Sequence, residues 1–227
     1  PQQKMPELRK AKEPFRFYTR LHLSELTGLR ASTLSQLLGL LKEVPGSSIY
    51  HHTHRFLQQH QYLSPEPPND FSYWVTEILG EDELGERLAS IDTIQFPNMR
   101  SLREKIVETI EDYLRNSPLA KLRFAKEGEE LHFIKSMSFI LPTHYLVTDL
   151  REFVDTLRKI TIDSIYFHIF EARLRLERGN NDFSNWIENS LGDEELANKI
   201  SRLDPYTHTL EDLRNTLIRM VERNIVS

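Results

Sequence analysis

The chain contains one sequence unit twice, and this duplication constrains its fold more than any other feature. Residues 69–74 read NDFSYW, and residues 181–186 read NDFSNW. LGEDEL at 79–84 returns as LGDEEL at 191–196, and SIYHH at 48–52 returns as SIYFH at 164–168. A period of about 115 residues has the length of a domain rather than of a solenoid repeat. The duplication predicts two copies of one small domain, or one pseudo-symmetric domain made of two halves.

The two copies can be aligned over most of the chain. From residue 15 to 52 the offset is constant at 116, with eight of 38 pairs identical; from 69 to 92 it is 112, with ten of 24 identical. Any shared role is therefore expected in the second of these blocks. We predict three parts: a disordered or tag-like tail at 1–7, a first helical repeat at 8–115 and a second at 116–227.

Hydrophobic periodicity predicts a mainly α fold, with two pseudo-symmetric helical repeats of about five helices each. Apolar residues that alternate from Phe15 and from Leu131 add a short β-strand or hairpin at the start of each repeat. Residues 119–125 are the expected hairpin partner in the second copy. Later segments have helical spacing. The third helix of each copy is predicted to end at Gly80 or Gly192, where a left-handed residue suits a helix C-terminus.

Composition excludes several classes of function. The chain has 227 residues, no Cys and a formal net charge of −5. Without Cys there is no disulfide, thiolate nucleophile or thiolate metal ligand. Dispersed basic residues and net negative charge argue against a nucleic-acid partner, and no apolar run is long enough to span a bilayer. We expect a cytoplasmic protein; the pattern predicts no oligomeric state.

Five residue types recur at equivalent positions in the two copies and form the candidate ligand-binding set. We hypothesise that they surround one small polar cleft in each copy, because aromatic faces with a polar handle suit binding pockets. The competing interpretation is structural: helix capping by Asp, indole packing and a buried, hydrogen-bonded His. The residues are Tyr50, His52, Asn69, Asp70 and Trp74 in the first copy, and Tyr166, His168, Asn181, Asp182 and Trp186 in the second.

Histidines also crowd the start of one predicted helix, at His51, His52 and His54. A metal site needs three or four converging ligands, yet the second copy has Phe167 and Phe170 in place of two of them. We therefore assign no metal ligand and no cofactor. No phosphate-binding Gly-rich loop or nucleophile elbow is present, and no catalytic residue is assigned.

The ordered motifs SIYxH, NDFSxW and LGDEELA resemble a prokaryotic domain family of unknown function. The resemblance covers most of the chain and implies a bacterial or archaeal soluble protein, without implying any chemistry. The first copy departs from the pattern at 91–94, where IDTI replaces LDPY.

The favoured function is a non-catalytic binding or interaction module whose partner is a protein or a small polar ligand. Two alternatives stay open. One is an acid–base enzyme that uses the paired His and Asp of each copy, and the other is a metal-binding helical protein.

Overall fold

The computed structural model describes residues 8–59, 69–172, 180–203 and 209–226. The predicted tail at 1–7 lies outside these ranges. Strands β1 (Phe15–Ala31) and β2 (Leu131–Val147), of 17 residues each, form a two-stranded sheet.

Within the described ranges, five α-helices follow each strand. After β1 come α1 (Leu34–Glu43), α2 (Gly46–Gln59), α3 (Asp70–Tyr73), α4 (Asp82–Ala89) and α5 (Met99–Asn116). After β2 come α6 (Leu150–Leu157), α7 (Ile162–Tyr166), α8 (Asp182–Trp186), α9 (Glu194–Ser201) and α10 (Leu210–Val226). π-Helical turns extend α3, α7 and α8, at Trp74–Ile78, Phe167–Glu171 and Ile187–Leu191. No helix in the described ranges combines the length and apolarity needed to cross a bilayer.

The fold is mixed α/β, so the prediction of a mainly α chain built from helical repeats is wrong. The strands are much longer than the segments that the apolar alternation marked. Between Leu21 and Arg30 most side chains of β1 are exposed on both faces, and Leu26 is 69% exposed. A ribbon that is solvated on both faces needs no alternation of apolar and polar residues, so periodicity underestimates its length.

Cross-strand contacts show that the sheet is antiparallel. The Thr27 hydroxyl donates to the Phe133 carbonyl at 2.7 Å, and the Thr143 hydroxyl donates to the Phe17 carbonyl at 2.7 Å. As residue numbers rise along β1, their partners on β2 fall, which fixes an antiparallel register. The partner of β2 is thus β1, and the predicted hairpin with residues 119–125 is wrong. Pro118 instead opens a 3-10 helix over Pro118–Leu122, a position that proline favours.

The chain forms two compact units, and each strand is divided between them. Among the described residues, the N-unit contains 22–59 and 69–138. The C-unit contains 8–21, 139–172, 180–203 and 209–226. The unit boundaries therefore fall inside the strands, at 21/22 and 138/139. As a result the first residues of β1 pack with the helices of the second copy.

Aromatic side chains supplied by the strands anchor both cores. In the C-unit, Phe17 is fully buried, and its ring stacks on Phe153 with centroids 5.7 Å apart. In the N-unit, Phe133 of β2 is fully buried, and its ring lies 6.2 Å from that of Phe71. Burial of one such side chain contributes about 1.5–3 kcal/mol, so each strand end is held firmly against its helices.

Two of the π-helical turns are followed by Gly80 and Gly192, where the sequence predicts that helices end. Gly80 has φ of 67° and Gly192 has φ of 69°. This left-handed conformation is accessible to glycine without a Cβ penalty. The chain thus turns directly into α4 and α9.

The N-unit core also contains a buried titratable ring, His54. It is 3% exposed and stacks on Tyr50 with centroids 5.3 Å apart. Burial lowers the pKa of His54 from 6.5 to about 4, despite an opposing hydrogen bond with the backbone of Thr93. The folded protein therefore keeps this imidazole neutral at pH values where the unfolded chain protonates it.

We predict that the free energy of unfolding falls as the pH drops from 6.5 to 4, and that His54→Phe removes part of this dependence. Phe is the residue of the second copy at this position, Phe170. In this window the unfolded state binds more protons, so stability rises with pH; the shift corresponds to about 3 kcal/mol. Urea unfolding at several pH values measures it, with exposed His144→Phe as control. Equal slopes for wild type and His54→Phe would contradict the prediction.

Candidate functional site

The Asn residues of the repeated motif cap helices. Asn69 accepts the Ser72 N–H on its Oδ1 at 2.8 Å and donates its Nδ2 to the Leu88 carbonyl at 3.1 Å. Asn181 makes the same pair of bonds to the Ser184 N–H and the Ile200 carbonyl. Both amides are buried. Only an amide can accept and donate in this way, because an ionised Asp accepts only. Asn, rather than the expected Asp, is therefore the N-cap.

The adjacent Asp residues are thus available to a histidine. His52 and the Asp70 carboxylate are joined by a hydrogen bond of 2.8 Å between Nδ1 and Oδ2, and His52 Nε2 accepts the backbone N–H of Ile134 at 3.0 Å. A backbone N–H can only donate, so Nε2 carries a lone pair and the ring proton sits on Nδ1. This histidine, 4% exposed, joins strand β2 to the start of α3.

The C-unit contains the same bridge. His168 Nδ1 pairs with the Asp182 carboxylate at 2.8 Å, and its Nε2 accepts the backbone N–H of Tyr18 on β1 at 2.9 Å. The ring is 1% exposed. The Asp182 side chain is 16% exposed, whereas that of Asp70 is 57% exposed. The second bridge is therefore the more deeply buried of the two.

The two tryptophans fasten the chain that leads into each strand. The indole of Trp74 donates to the Glu129 carbonyl at 2.8 Å, and the indole of Trp186 donates to the Glu13 carbonyl at 2.8 Å. Each accepting residue lies just before a strand. The indole of Trp74 thus joins α3 to the start of β2, and that of Trp186 joins α8 to the start of β1. A buried Trp N–H usually has such a hydrogen-bond acceptor.

The two tyrosines of the set are buried in different surroundings. Tyr50 stacks on His54, whereas the ring of Tyr166 lies under the Arg20 guanidinium, 4.4 Å from its carbon. Arg20 pairs in turn with Glu171 at 2.6 Å. Neither tyrosine is placed beside the His–Asp bridge by these contacts.

A pocket of about 530 Å³ opens next to the C-unit bridge. Of the predicted residues, His168, Asp182 and Trp186 line it; Tyr166 and Asn181 do not. Its remaining aromatic walls are Phe15, Tyr18 and Phe167. The sequence reasoning missed Phe15 and Tyr18 as site residues because they stand in the first copy, although β1 carries them into the C-unit. The sequence feature that marked this site was the recurrence of His52 as His168.

A metal at the N-unit histidines does not fit their hydrogen bonds. Within the described ranges, His51, His52 and Asp70 place one ligand atom each within 4.8 Å of one another. A metal on His52 Nδ1 would move the ring proton to Nε2, where it would face the Ile134 N–H. A metal on Nε2 would displace that N–H instead. Either choice removes the bond that holds the strand, so the group suits a hydrogen-bonded pair.

The same bonds bear on acid–base chemistry. A general base needs a nitrogen lone pair within hydrogen-bond reach of the substrate proton. In both bridges the acceptor nitrogen already binds a strand N–H and the donor nitrogen binds a carboxylate. Proton transfer would first require the strand to detach.

We predict that His168→Ala lowers the free energy of unfolding by about 3 kcal/mol and His52→Ala by about 2 kcal/mol. Each substitution strands a backbone N–H and opens a cavity, and the more buried Asp182 loses more than the solvated Asp70. The measurement is urea unfolding followed by circular dichroism. The control is His132→Ala on an exposed site of β2, expected within about 0.5 kcal/mol of wild type. Bridge variants as stable as this control would refute the structural role.

Comparison with known proteins relates the whole chain to one solved structure and one family. The solved structure of OrfY from Thermoproteus tenax has a TM-score of 0.80 with 29% identity, over 96% of this chain and 98% of that chain. No curated protein matches the chain. Residues 12–222 match the model of DUF5752, described as a family of unknown function. The chain therefore belongs to the DUF5752 family.

Proposed function

We propose that this protein is a non-catalytic binding module that holds a small polar ligand in the C-unit pocket. The observation that carries the proposal is the pocket of about 530 Å³ against the His168–Asp182 bridge. Small-molecule sites typically have volumes of about 300–1,000 Å³, apolar or aromatic walls and a few placed polar groups. A cytoplasmic location remains a prediction from composition.

The polar groups of the pocket support binding rather than chemistry. His168 is held by both ring nitrogens, and the Trp186 indole is held by the Glu13 carbonyl. Groups that are locked in this way do not reorganise when a ligand enters, which reduces the entropic cost of binding. The alternatives of an acid–base enzyme and a metal protein receive no such support, because their reactive nitrogens are the ones that hold the strands.

A larger cavity in the N-unit, of about 730 Å³, is a weaker candidate. Its wall is mostly charged, and five of its charged residues are paired with one another. Asp112 contacts both Arg87 and Arg115 at 3.3 Å, and Lys105 pairs with Glu108 at 3.2 Å. A ligand would have to compete with these existing pairs for the same charges.

The two indole N–H signals in a ¹⁵N-correlated NMR spectrum test the proposal, because the chain has two tryptophans. Trp186 lines the pocket, while Trp74 makes an equivalent hydrogen bond in the N-unit. We predict that a subset of a mixed fragment library, containing neutral, anionic and cationic compounds, shifts the Trp186 signal and leaves the Trp74 signal in place. A library in which no compound shifts Trp186 selectively contradicts the proposal.

A matched pair of variants localises the binding. Asn185 lines the pocket, and its counterpart in the first copy is Tyr73, which is 50% exposed. Asn185→Tyr therefore narrows the pocket with a residue that the equivalent position already tolerates. We expect this variant to weaken fragment binding at least five-fold, whereas Tyr73→Asn in the N-unit leaves binding unchanged. Equal affinities for both variants would place the ligand elsewhere.

A further inference from the structure

Three aromatic rings of the C-unit pocket lie close to the buried ring of His168. The ring centroids of Phe15, Phe167 and Tyr18 lie 5.0, 4.9 and 6.3 Å from that of His168, at interplanar angles of 61°, 77° and 58°. Trp186 lies 5.6 Å from Phe15 at 52°. None of these pairs is stacked in parallel, so the rings do not cover one another's faces completely. The pocket therefore has walls of several aromatic side chains set at steep angles.

The charge of the pocket is net negative. Among the described residues that line it, Glu13 and Asp182 carry carboxylates and Arg16 carries a guanidinium. The Arg16 guanidinium donates to the Thr143 carbonyl at 3.1 Å. His168 accepts a backbone N–H on Nε2 and so adds no positive charge in this state. With two carboxylates against one guanidinium, the pocket attracts a cation more strongly than an anion.

We propose that the ligand of this pocket is an organic ammonium cation whose charge is shielded by alkyl groups, an inference that rests on the proposed binding function. The faces of aromatic rings are electronegative, and they attract a desolvated cation. An alkylated ammonium needs no hydrogen bond, so it gains from the Asp182 charge without competing for the bond that the carboxylate makes to His168. The aromatic lining and the net negative charge thus favour the same class of ligand.

The rings of Phe15, Tyr18 and Phe167, here called the aromatic cage, have no aromatic-for-aromatic counterpart of Phe or Tyr in the first copy. At the sequence positions equivalent to Phe15, Tyr18 and Phe167 the chain carries Leu131, Ile134 and His51. The His–Asp bridge and the Trp indole bond are nevertheless kept in both units. The bridge therefore forms without these aromatic rings. We accordingly assign the rings beside His168 a separate role in binding.

A pair of probes that differ in charge alone tests this inference. Choline and its neutral isostere 3,3-dimethylbutan-1-ol have nearly the same shape, and each is titrated against the full chain while the two indole N–H signals are followed. We expect choline to shift Trp186 and to bind about ten-fold more tightly than the alcohol, a ratio within the range of cation–π energies. Trp74 serves as the internal reference.

Two variants separate the contribution of pocket charge to choline binding from that of the aromatic rings. Glu13→Gln, on an exposed residue, is expected to weaken choline about three-fold and to leave the alcohol unchanged. Phe167→His copies the residue of the N-unit and is expected to weaken choline at least five-fold, whereas the matched His51→Phe leaves it unchanged. Loss of selectivity for choline in the two C-unit variants supports the cage.

The outcomes distinguish this inference from the function on which it rests. Equal affinity for choline and the alcohol overturns the cation inference and leaves a binding pocket. Failure of both probes, with another fragment still shifting Trp186, has the same consequence. Failure of both probes and of every fragment overturns the binding function itself.

Discussion

The bond from a strand N–H to a buried histidine holds each unit of this protein together. In both units a single imidazole accepts the N–H of a strand on Nε2 and donates a hydrogen bond from Nδ1 to an Asp at the start of a helix. The strand, the helix that carries the histidine and the following Asn-capped helix are thereby fixed to one ring. Because the strand N–H would otherwise lose its partner in a half-buried position, the imidazole is costly to replace.

The pocket of the C-unit follows from this bridge. The bridge holds β1 against α7 and α8, which brings Phe15 and Tyr18 of the strand to Phe167 and Trp186 of the helices. The ring of His168 then lies among aromatic neighbours as a neutral, oriented group. The Asp182 charge remains beside it, so the site combines a negative field with apolar walls. Such a combination favours recognition of a cation over proton transfer.

The internal repeat draws attention to the paired histidines and aspartates, whereas apolar periodicity underestimates both strands. Recurrence in both copies singled out His52, His168 and their Asp partners before any geometry was known. The sequence did not predict the third partner of each histidine, because every residue except proline has a backbone N–H. The N–H groups of Tyr18 and Ile134 also lie 150 and 82 residues from their histidines along the chain. The sequence did not predict the mixed α/β fold, because the exposed middle of β1 lacks apolar periodicity.

The protonation of the two imidazoles tests the central claim most directly. Long-range ¹H–¹⁵N correlations distinguish a protonated ring nitrogen from one that carries a lone pair. The account predicts that at neutral pH both His52 and His168 hold their proton on Nδ1, with an unprotonated Nε2 that receives the strand N–H. A proton on Nε2 of either ring would contradict it, because the N–H of the strand would then have no acceptor.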